Sequence, residues 1–376
     1  MSSKVSVLLL AAAAISIVNC EVQGFSAPTP RRDVSGVNHF TSIGMPWSNN
    51  KELDTVDPMI EFCELVFADF KNIQIVDVNQ DSHYQLYASK SGAQLWGETA
   101  KPQNGGNACF GGFVPHFQGE SRVNVCILTR QDHPLAEFED GTTSKFALCG
   151  TFEVMHDPDP ENSGFREFLM KEIQNTGGRV VFGSCTVIST DPEEGMLASG
   201  MGLLDRDTMA TWIAFNFDCP NYGFFARDNP GLPIYAKFQI AAIAHEIQTY
   251  KSEEEYYAKR EKQLVTPATS NRQFNTAFAS QYFGTQELLA REDKENPIKS
   301  EALFVGHVMK TEKKMNELTG ESFYWALIKT AGDMELDVVI HPMFFELTGM
   351  EPPKVGGVVQ GYGWLSGKLI LDDGLE

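Results

Sequence analysis

Apolar and polar residues alternate with a period of two along much of the chain, a pattern typical of β-strands with one buried face. The alternation is cleanest near the end, where Met334, Leu336, Val338 and Ile340 point one way. Turns rich in Gly, Asn, Asp and Pro separate such runs at the spacing of an antiparallel sheet or barrel. The predicted strands are 73–78, 84–88, 94–97, 108–117, 122–129, 146–154, 179–190, 210–217, 233–247, 302–310, 322–330 and 335–341.

A smaller part of the chain shows the three- to four-residue apolar period of amphipathic helices. One of these segments begins at a capping box, in which Ser252 is followed three residues later by Glu255. The helices predicted in this way are 54–72, 163–175, 252–263 and 343–350.

The C-terminal segment 301–372 follows a stretch rich in Thr, Ser, Asn and Gln that is typical of a linker. Three alternating strands, a short helix and the Gly-rich return GGVVQGYGWLSGKLIL fit a small closed barrel such as the OB-fold. A barrel of this size needs bulky side chains in its interior, so Trp325 and Trp364 are expected inside it. We therefore expect this segment to fold separately.

Taken together, the patterns predict a mainly β (α+β) protein. We expect tandem antiparallel β-barrel or sandwich domains with a few amphipathic helices and a C-terminal OB-like barrel. The predicted division is 1–24, signal peptide; 25–53, transit peptide and irregular arm; 54–178, first β-rich domain with flanking helices; 179–263, second β segment packing on the first; 264–300, linker; and 301–372, OB-like barrel.

The sequence predicts a targeting signal at the N-terminus. Residues 1–24 contain one Lys and then an apolar run from Val5 to Val18, which is shorter than the roughly 20 residues that span a membrane. Phe25 to Arg32 is hydroxyl-rich and basic, as in a transit peptide. The junction Gly24-Phe25-Ser26-Ala27-Pro28 resembles the bipartite plastid leader of diatoms and related algae, with Gly in place of the usual Ala. The resemblance implies the plastid stroma, and plain secretion is the alternative.

The formal net charge is -20, so the chain repels phosphate backbones, and we predict neither a nucleic-acid nor a membrane partner. Aromatic residues make up 11% of the sequence, which indicates well-filled cores. Apart from Cys20 of the leader, the cysteines are scattered, with no C-x-x-C spacing. Most lie in strand-like runs, so we expect buried reduced thiols rather than three disulfides. They are Cys63, Cys109, Cys126, Cys149, Cys185 and Cys219.

Five blocks of sequence are similar to an uncharacterised family of bacterial and algal hypothetical proteins with a C-terminal OB-like domain. They occur in the same order and cover most of residues 80 to 370. The resemblance implies an old multi-domain fold and carries over no catalytic residue. The blocks are SGAQLW, FVPHFQGES, AAIAHEI with SEEEYY, FYWALIKT, and GGVVQGYGWLSGKL.

The most site-like stretch is 113–122, where a His between aromatics precedes a Gly turn with an acid and a base. His116, Glu120 and Arg122, together with His245, are the candidate ligand-binding residues. A strand end with a solvated turn is the plainer interpretation. His245-Glu246 lacks the second His of a zinc helix, and HDPDPE lacks the EF-hand pattern. We therefore predict no catalytic residue, metal or cofactor.

Three functions remain open. The first is a non-enzymatic stromal protein that associates with itself or docks to another stromal protein. Shell proteins of the algal pyrenoid, which are acidic, soluble and β-rich, are one such type. The second is an enzyme or small-ligand protein that uses the stretch 113–122. The third is an OB-type binder of single-stranded nucleic acid, which the acidic charge disfavours.

Overall fold

A computed structural model describes residues 73–100, 109–133, 147–157, 160–161, 167, 196–199, 202–205, 211–261, 277–280, 300–317, 320 and 322–371. The leader, the arm, the helix predicted over 54–72 and the strand predicted over 179–190 lie outside these residues. So does the helix predicted over 163–175, apart from Glu167. In the part of the chain that is described, no helix is long and apolar enough to cross a membrane.

The predicted mainly β fold is confirmed, since most described residues lie in strands of two sheets. The strands are β1 (Gln74–Asp77), β2 (Ser82–Ala88), β3 (Ala93–Ala100), β4 (Cys109–Phe117), β5 (Val123–Asp132), β6 (Gly150–His156), β7 (Met196–Ser199), β8 (Gly202–Asp205), β9 (Thr211–Cys219), β10 (Ile234–Tyr250), β11 (Ala277–Ser280), β12 (Glu301–Met315), β13 (Ser322–Lys329), β14 (Glu335–Ile340) and β15 (Val358–Leu369).

Short helices join some of these strands. The predicted helix at 252–263 is α2 (Glu253–Glu261), and the one at 343–350 is α3 (Met343–Thr348). Helix α1 (Tyr222–Asp228) was not predicted. It ends at Asn229 in the left-handed conformation, as α3 ends at Gly349. Both residue types tolerate that conformation and stop a helix.

Strands β5, β6 and β9 form an antiparallel meander. After α1, the long strand β10 returns and pairs antiparallel with β5. The ring closes through β15, which pairs antiparallel with β10 and meets β9 in parallel at Ser366 and Asp218. These five described strands form the first barrel.

The second barrel repeats this plan. Strands β12, β13 and β14 form the meander, α3 follows, and β15 pairs antiparallel with β12. The ring closes through β10, whose Ala241–Ile243 run parallel to Asp337–Val339 of β14. Each barrel therefore takes its last strand from the other half of the chain.

An approximate twofold relation connects the two barrels. Ala241 is the residue of β10 that pairs with Asp337, and Ser366 is the residue of β15 that pairs with Asp218. Ala241 and Ser366 also face each other in the β10–β15 pair, so the relation centres there. A β-β-β-α-β unit with the parallel contact of an OB-like barrel thus occurs twice.

The C-terminal segment was predicted to fold separately, but its strands pair with β10 of the preceding segment. The predicted linker 264–300 also contributes β11, which pairs with Ala302–Val305 of β12. Alternation within a strand does not indicate which distant strand lies beside it, so the exchange of strands was not predictable from the pattern.

One apolar core runs through both barrels, with Phe217 and Phe238 from the first and Phe304 from the second. Gly367 and Gly361 of β15 allow these rings to approach. An added Cβ would lie 2.3 Å from Phe217 and 2.6 Å from Phe304, respectively. These two glycines of the Gly-rich return therefore make room for aromatic rings.

Strands β1 to β4 form a separate antiparallel sheet that packs on the outside of the barrels. Its Leu95 and Phe117 lie in one cluster with Trp325, and Trp364 packs against the same cluster. The neighbours of Trp325 on β13, Ala326 and Ile328, belong to the barrel core. Both tryptophans therefore lie on the outer face, not in the interior where they were predicted.

Candidate functional site

The stretch 113–122 leaves β4 and enters β5 at the point where the two barrels and the outer sheet meet. His116 of β4 is fully buried, and its Nδ1 lies 2.9 Å from Oγ of Ser366, the residue at the centre of the twofold relation. Burial and the nearby ammonium of Lys368 lower the pKa of His116 to about 3, while Gln239 acts in the opposite direction. The imidazole is therefore neutral at physiological pH.

Asp337 of β14 is the second member of this buried network, with no exposed surface. Its carboxylate accepts hydrogen bonds from the backbone N–H groups of Glu120 (3.1 Å) and Ser121 (2.9 Å). It also accepts from Nε2 of Gln239 and Nε1 of Trp325, each at 2.7 Å. Four N–H donors thus surround one charge, which is how a carboxylate becomes tolerable inside a protein.

The turn before β5 is shaped around this carboxylate. A Cβ on Gly119 would lie 2.2 Å from the carboxyl group of Asp337, so only glycine fits without displacement. Ser121 then fixes the turn to β10, because its Oγ donates to the carbonyl of Ile240 (2.8 Å) and accepts from the N–H of the same residue (2.9 Å).

The predicted site residues do not converge in one cavity. Glu120 and Arg122 are exposed, and their side chains turn away from the buried network. The carboxylate of Glu120 pairs with Lys310, and Nη1 of Arg122 donates to the carbonyl of Ser121 at 2.7 Å.

His245 lies elsewhere on β10, six residues after Gln239, which corresponds to about 20 Å along a strand. Its Nδ1 is 3.7 Å from Oε1 of Glu301, and its ring meets Tyr362 edge to face at 5.6 Å. Burial and the neighbouring carboxylate of Glu301 raise the pKa of Tyr362. This second cluster shares no residue with the network around His116.

A third polar cluster surrounds Asp218, the counterpart of Asp337 in the first barrel. Its carboxylate accepts from Thr151 Oγ1 (2.7 Å), Ser300 Oγ (2.8 Å) and Trp364 Nε1 (2.7 Å), and Nε2 of His133 lies 3.8 Å away. Gln239 lies two residues before Ala241, which pairs with Asp337. Trp364 lies two residues before Ser366, which pairs with Asp218. The two side chains are therefore equivalent donors to the two aspartates.

A fourth ionisable group, Glu98 of β3, is buried. Desolvation raises the pKa of its carboxyl to about 7, and a hydrogen bond with Cys149 opposes that shift. Cys149, Cys126 and Cys219 are buried reduced thiols, as the sequence predicted for these three. Over the described ranges, no group of three or more His, Cys, Asp or Glu side chains is placed to hold a metal ion.

The sequence reasoning missed both aspartates, although each carries a visible signal. Asp337 in ELDVVI and Asp218 in FNFDC interrupt or end an apolar strand. A carboxylate at such a position must find several donors.

Comparisons with protein-family models, curated proteins and solved structures find no match. Ser366 and His116 have the spacing of a nucleophile and its base. Both are sealed from solvent, however, and the aspartate of the network already has four donors. This arrangement holds the turn 118–122, the outer sheet and the two barrels together.

Proposed function

We propose that the protein is a non-enzymatic stromal protein that works by self-association, and that β12 supplies the contact. The observation that carries the proposal is an open strand edge at Met309–Met315. The buried network supports it indirectly, because the residues of 113–122 that pointed to ligand binding are either sealed or turned to intramolecular partners.

The open edge begins where β15 stops. Pairing between β12 and β15 ends at His307 and Val358, and Val308 then exchanges hydrogen bonds with Gly356 and Gly357. From Met309 onward, β13 covers one side of β12, and no described strand covers the other. An uncovered edge offers a row of backbone donors and acceptors to another chain.

The ends of this edge are apolar. Met309 is 50% exposed and Met315 is 55% exposed. Of the three lysines between them, Lys310 pairs with Glu120, and the other two hold their ammonium groups over rings of their own sheet, so the lysines do not shield the edge fully. Nζ of Lys313 is 5.6 Å from the centre of Tyr324, and that of Lys314 is 5.1 Å from the centre of Trp325.

The charge pattern favours a second copy of this chain as the occupant. Within one copy, Lys310 pairs with Glu120, and Oε2 of Glu312 lies 3.1 Å from Nζ of Lys314. If two copies pair antiparallel about Thr311, Lys310 of each strand also faces Glu312 of the other. This register gives two opposite-charge pairs around a Thr–Thr pair, and both kinds of pair stabilise adjacent strands. A twofold contact of this kind is closed, so it yields a dimer.

Sedimentation velocity over a dilution series tests the proposal. We expect the wild type to dimerise. Either Lys310→Glu or Glu312→Lys should shift the protein towards monomer, because each change places like charges opposite one another at both 310–312 pairs of the dimer. The double variant should restore the dimer. Lys237→Glu, an exposed change on the first barrel, is the matched control and should have no effect.

Two results would overturn the proposal. One is a wild type that stays monomeric at every concentration. The other is a double variant that is as monomeric as the single variants, which would show that the charges are not opposed across the contact.

The leader supports the stromal address. A C-terminal fluorescent-protein fusion of the full chain in an algal cell should give plastid signal, either diffuse or concentrated at the rim of the pyrenoid. The rim would support a shell component, as the acidic β-rich character of the chain suggests. Signal outside the cell would contradict the address.

A further inference from the structure

A cavity of about 330 Å³ lies at the far end of β10, away from the three polar clusters. Three segments form its walls: the last residues of β10 with Lys251 directly after them, helix α2, and the chain from the end of α3 onward. Hydrogen bonds fix the walls to one another. Thr249 Oγ1 donates to the carbonyl of Glu351 (2.5 Å), and the N–H of Lys251 donates to Oε2 of Glu255 (2.7 Å).

The cavity is cationic in an acidic protein. Lys251, Lys259 and Lys354 line it together with only two acids, Glu255 and Glu351. The chain as a whole carries a net charge of -20, whereas the lining of the cavity has one more cation than it has acids. Each wall contributes one of the three lysines.

Glu351 occupies the centre of this arrangement. Its carboxylate lies 2.7 Å from Nζ of Lys251 and also pairs with Lys354. Hydrogen bonds from these two lysines lower the pKa of Glu351 to about 2. Lys259 pairs with Glu255 at 2.9 Å and lies over the ring of Tyr250.

We infer that this cavity binds a small multivalent oxyanion, such as a phosphate ester or a polycarboxylate. Each ammonium has three N–H donors, so the ion pairs that these lysines make with Glu351 and Glu255 leave several donors for a ligand. The volume is that of a small-molecule site. The net charge of -20 disfavours a long polyanion, whereas a small anion inside the cavity is within a Debye length of the lysines.

In this arrangement, the Glu351 carboxylate stands where a ligand oxyanion would bind between Lys251 and Lys354. Ligand and side chain therefore compete for the same donors. Removing the carboxylate should strengthen binding, while removing either lysine should weaken it. The inference does not depend on self-association, since the cavity and the edge at Met309–Met315 are separate surfaces.

Isothermal titration calorimetry of the full chain tests this, with inorganic pyrophosphate and with citrate as probes at one fixed ionic strength. The two probes separate phosphate from carboxylate recognition, and binding of either supports the site. We expect Lys354→Gln and Lys259→Gln each to weaken binding by about three- to fivefold, as for exposed ion pairs. Glu351→Gln should strengthen it by a similar factor.

Lys237→Gln is the matched control, because it removes an exposed ammonium far from the cavity and should leave affinity unchanged. The inference is overturned if neither probe binds, or if Lys237→Gln weakens binding as much as Lys354→Gln does. If the Glu351→Gln variant binds the probes more weakly than the wild type does, the Glu351 carboxylate does not compete with the ligand for the lysines. Thermal unfolding of every variant checks that each remains folded.

Discussion

Asp337 and Asp218 occupy equivalent positions in the two barrels, yet their surroundings differ. Asp337 is completely buried and accepts only from N–H groups, two of them in the backbone turn 118–122. The side chain of Asp218 is 19% exposed and accepts from two hydroxyls and an indole. The outer sheet β1–β4 accounts for the contrast, because the turn that leads out of it packs against Asp337.

The difference shows how two barrels with the same strand arrangement become asymmetric. The parallel contacts between β10 and β14 and between β15 and β9 place one aspartate in each barrel. Only one of the two aspartates then becomes the anchor of an added sheet. The anchored carboxylate has no access to water, so it depends on protein donors for its entire stabilisation.

The largest effect should come from truncating the two aspartates. Asp337→Ala leaves four buried donors without an acceptor, and we expect a loss of about 3–5 kcal/mol in the free energy of unfolding. Asp218→Ala should cost about 1–2 kcal/mol, because water can replace part of its interactions. Urea unfolding of both variants measures the contrast. Equal losses would mean that the outer sheet does not distinguish the two sites.

Two buried groups, His116 and Glu98, should give opposing pH responses. The folded pKa of His116 is lowered from 6.5 to about 3, so the unfolded state binds more protons below pH 6.5. Stability is therefore lost as the pH falls, by about 2 kcal/mol between pH 7 and 5. The folded pKa of Glu98 is raised from 4.5 to about 7. This group therefore stabilises the fold on acidification, also by about 2 kcal/mol over that interval.

Single variants separate these two contributions. Glu98→Gln should lose stability more steeply than the wild type between pH 7 and 5, and His116→Gln should lose it less steeply. Urea unfolding at closely spaced pH values gives the slopes. Parallel curves for all three proteins would show that neither group titrates as its burial requires.

A smaller effect should follow from crowding the Asp337 turn. Gly119→Ala places a methyl group 2.2 Å from the carboxyl group of Asp337, and we expect a loss of about 1–3 kcal/mol. Gly231→Ala is the control, because nothing lies within 4 Å of its added Cβ. Thermal unfolding should separate the two variants. A Gly119→Ala protein as stable as the control would contradict the close packing of this turn.

Much of the local structure follows from the sequence. The alternation at 334–341 predicts β14, and the apolar run at 233–247 predicts most of β10. These predictions succeed because successive side chains of a strand point to opposite faces, so the residues of the strand itself show the alternation. Helix α1 was missed because it is only seven residues long, with the sequence YGFFARD.

Long-range organisation could not be obtained in the same way. Nothing in Trp325 or its neighbours indicates that the outer face of β13 is also covered, so the alternation could not distinguish inside from outside. The prediction of the candidate site was incomplete for a related reason. His116 was found, but its partner Ser366 is 250 residues away, and the donors of Asp337 come from three separate segments.

The strands shared by the two barrels constrain how the chain is made. On the ribosome, the first barrel lacks its closing strand until β15, which ends at Leu369, has emerged. Contacts of such long range slow folding and leave strand edges exposed meanwhile. The nascent chain therefore cannot complete its first barrel before its second. A chain that terminates before Val358 would lack β15, which is a strand of both barrels.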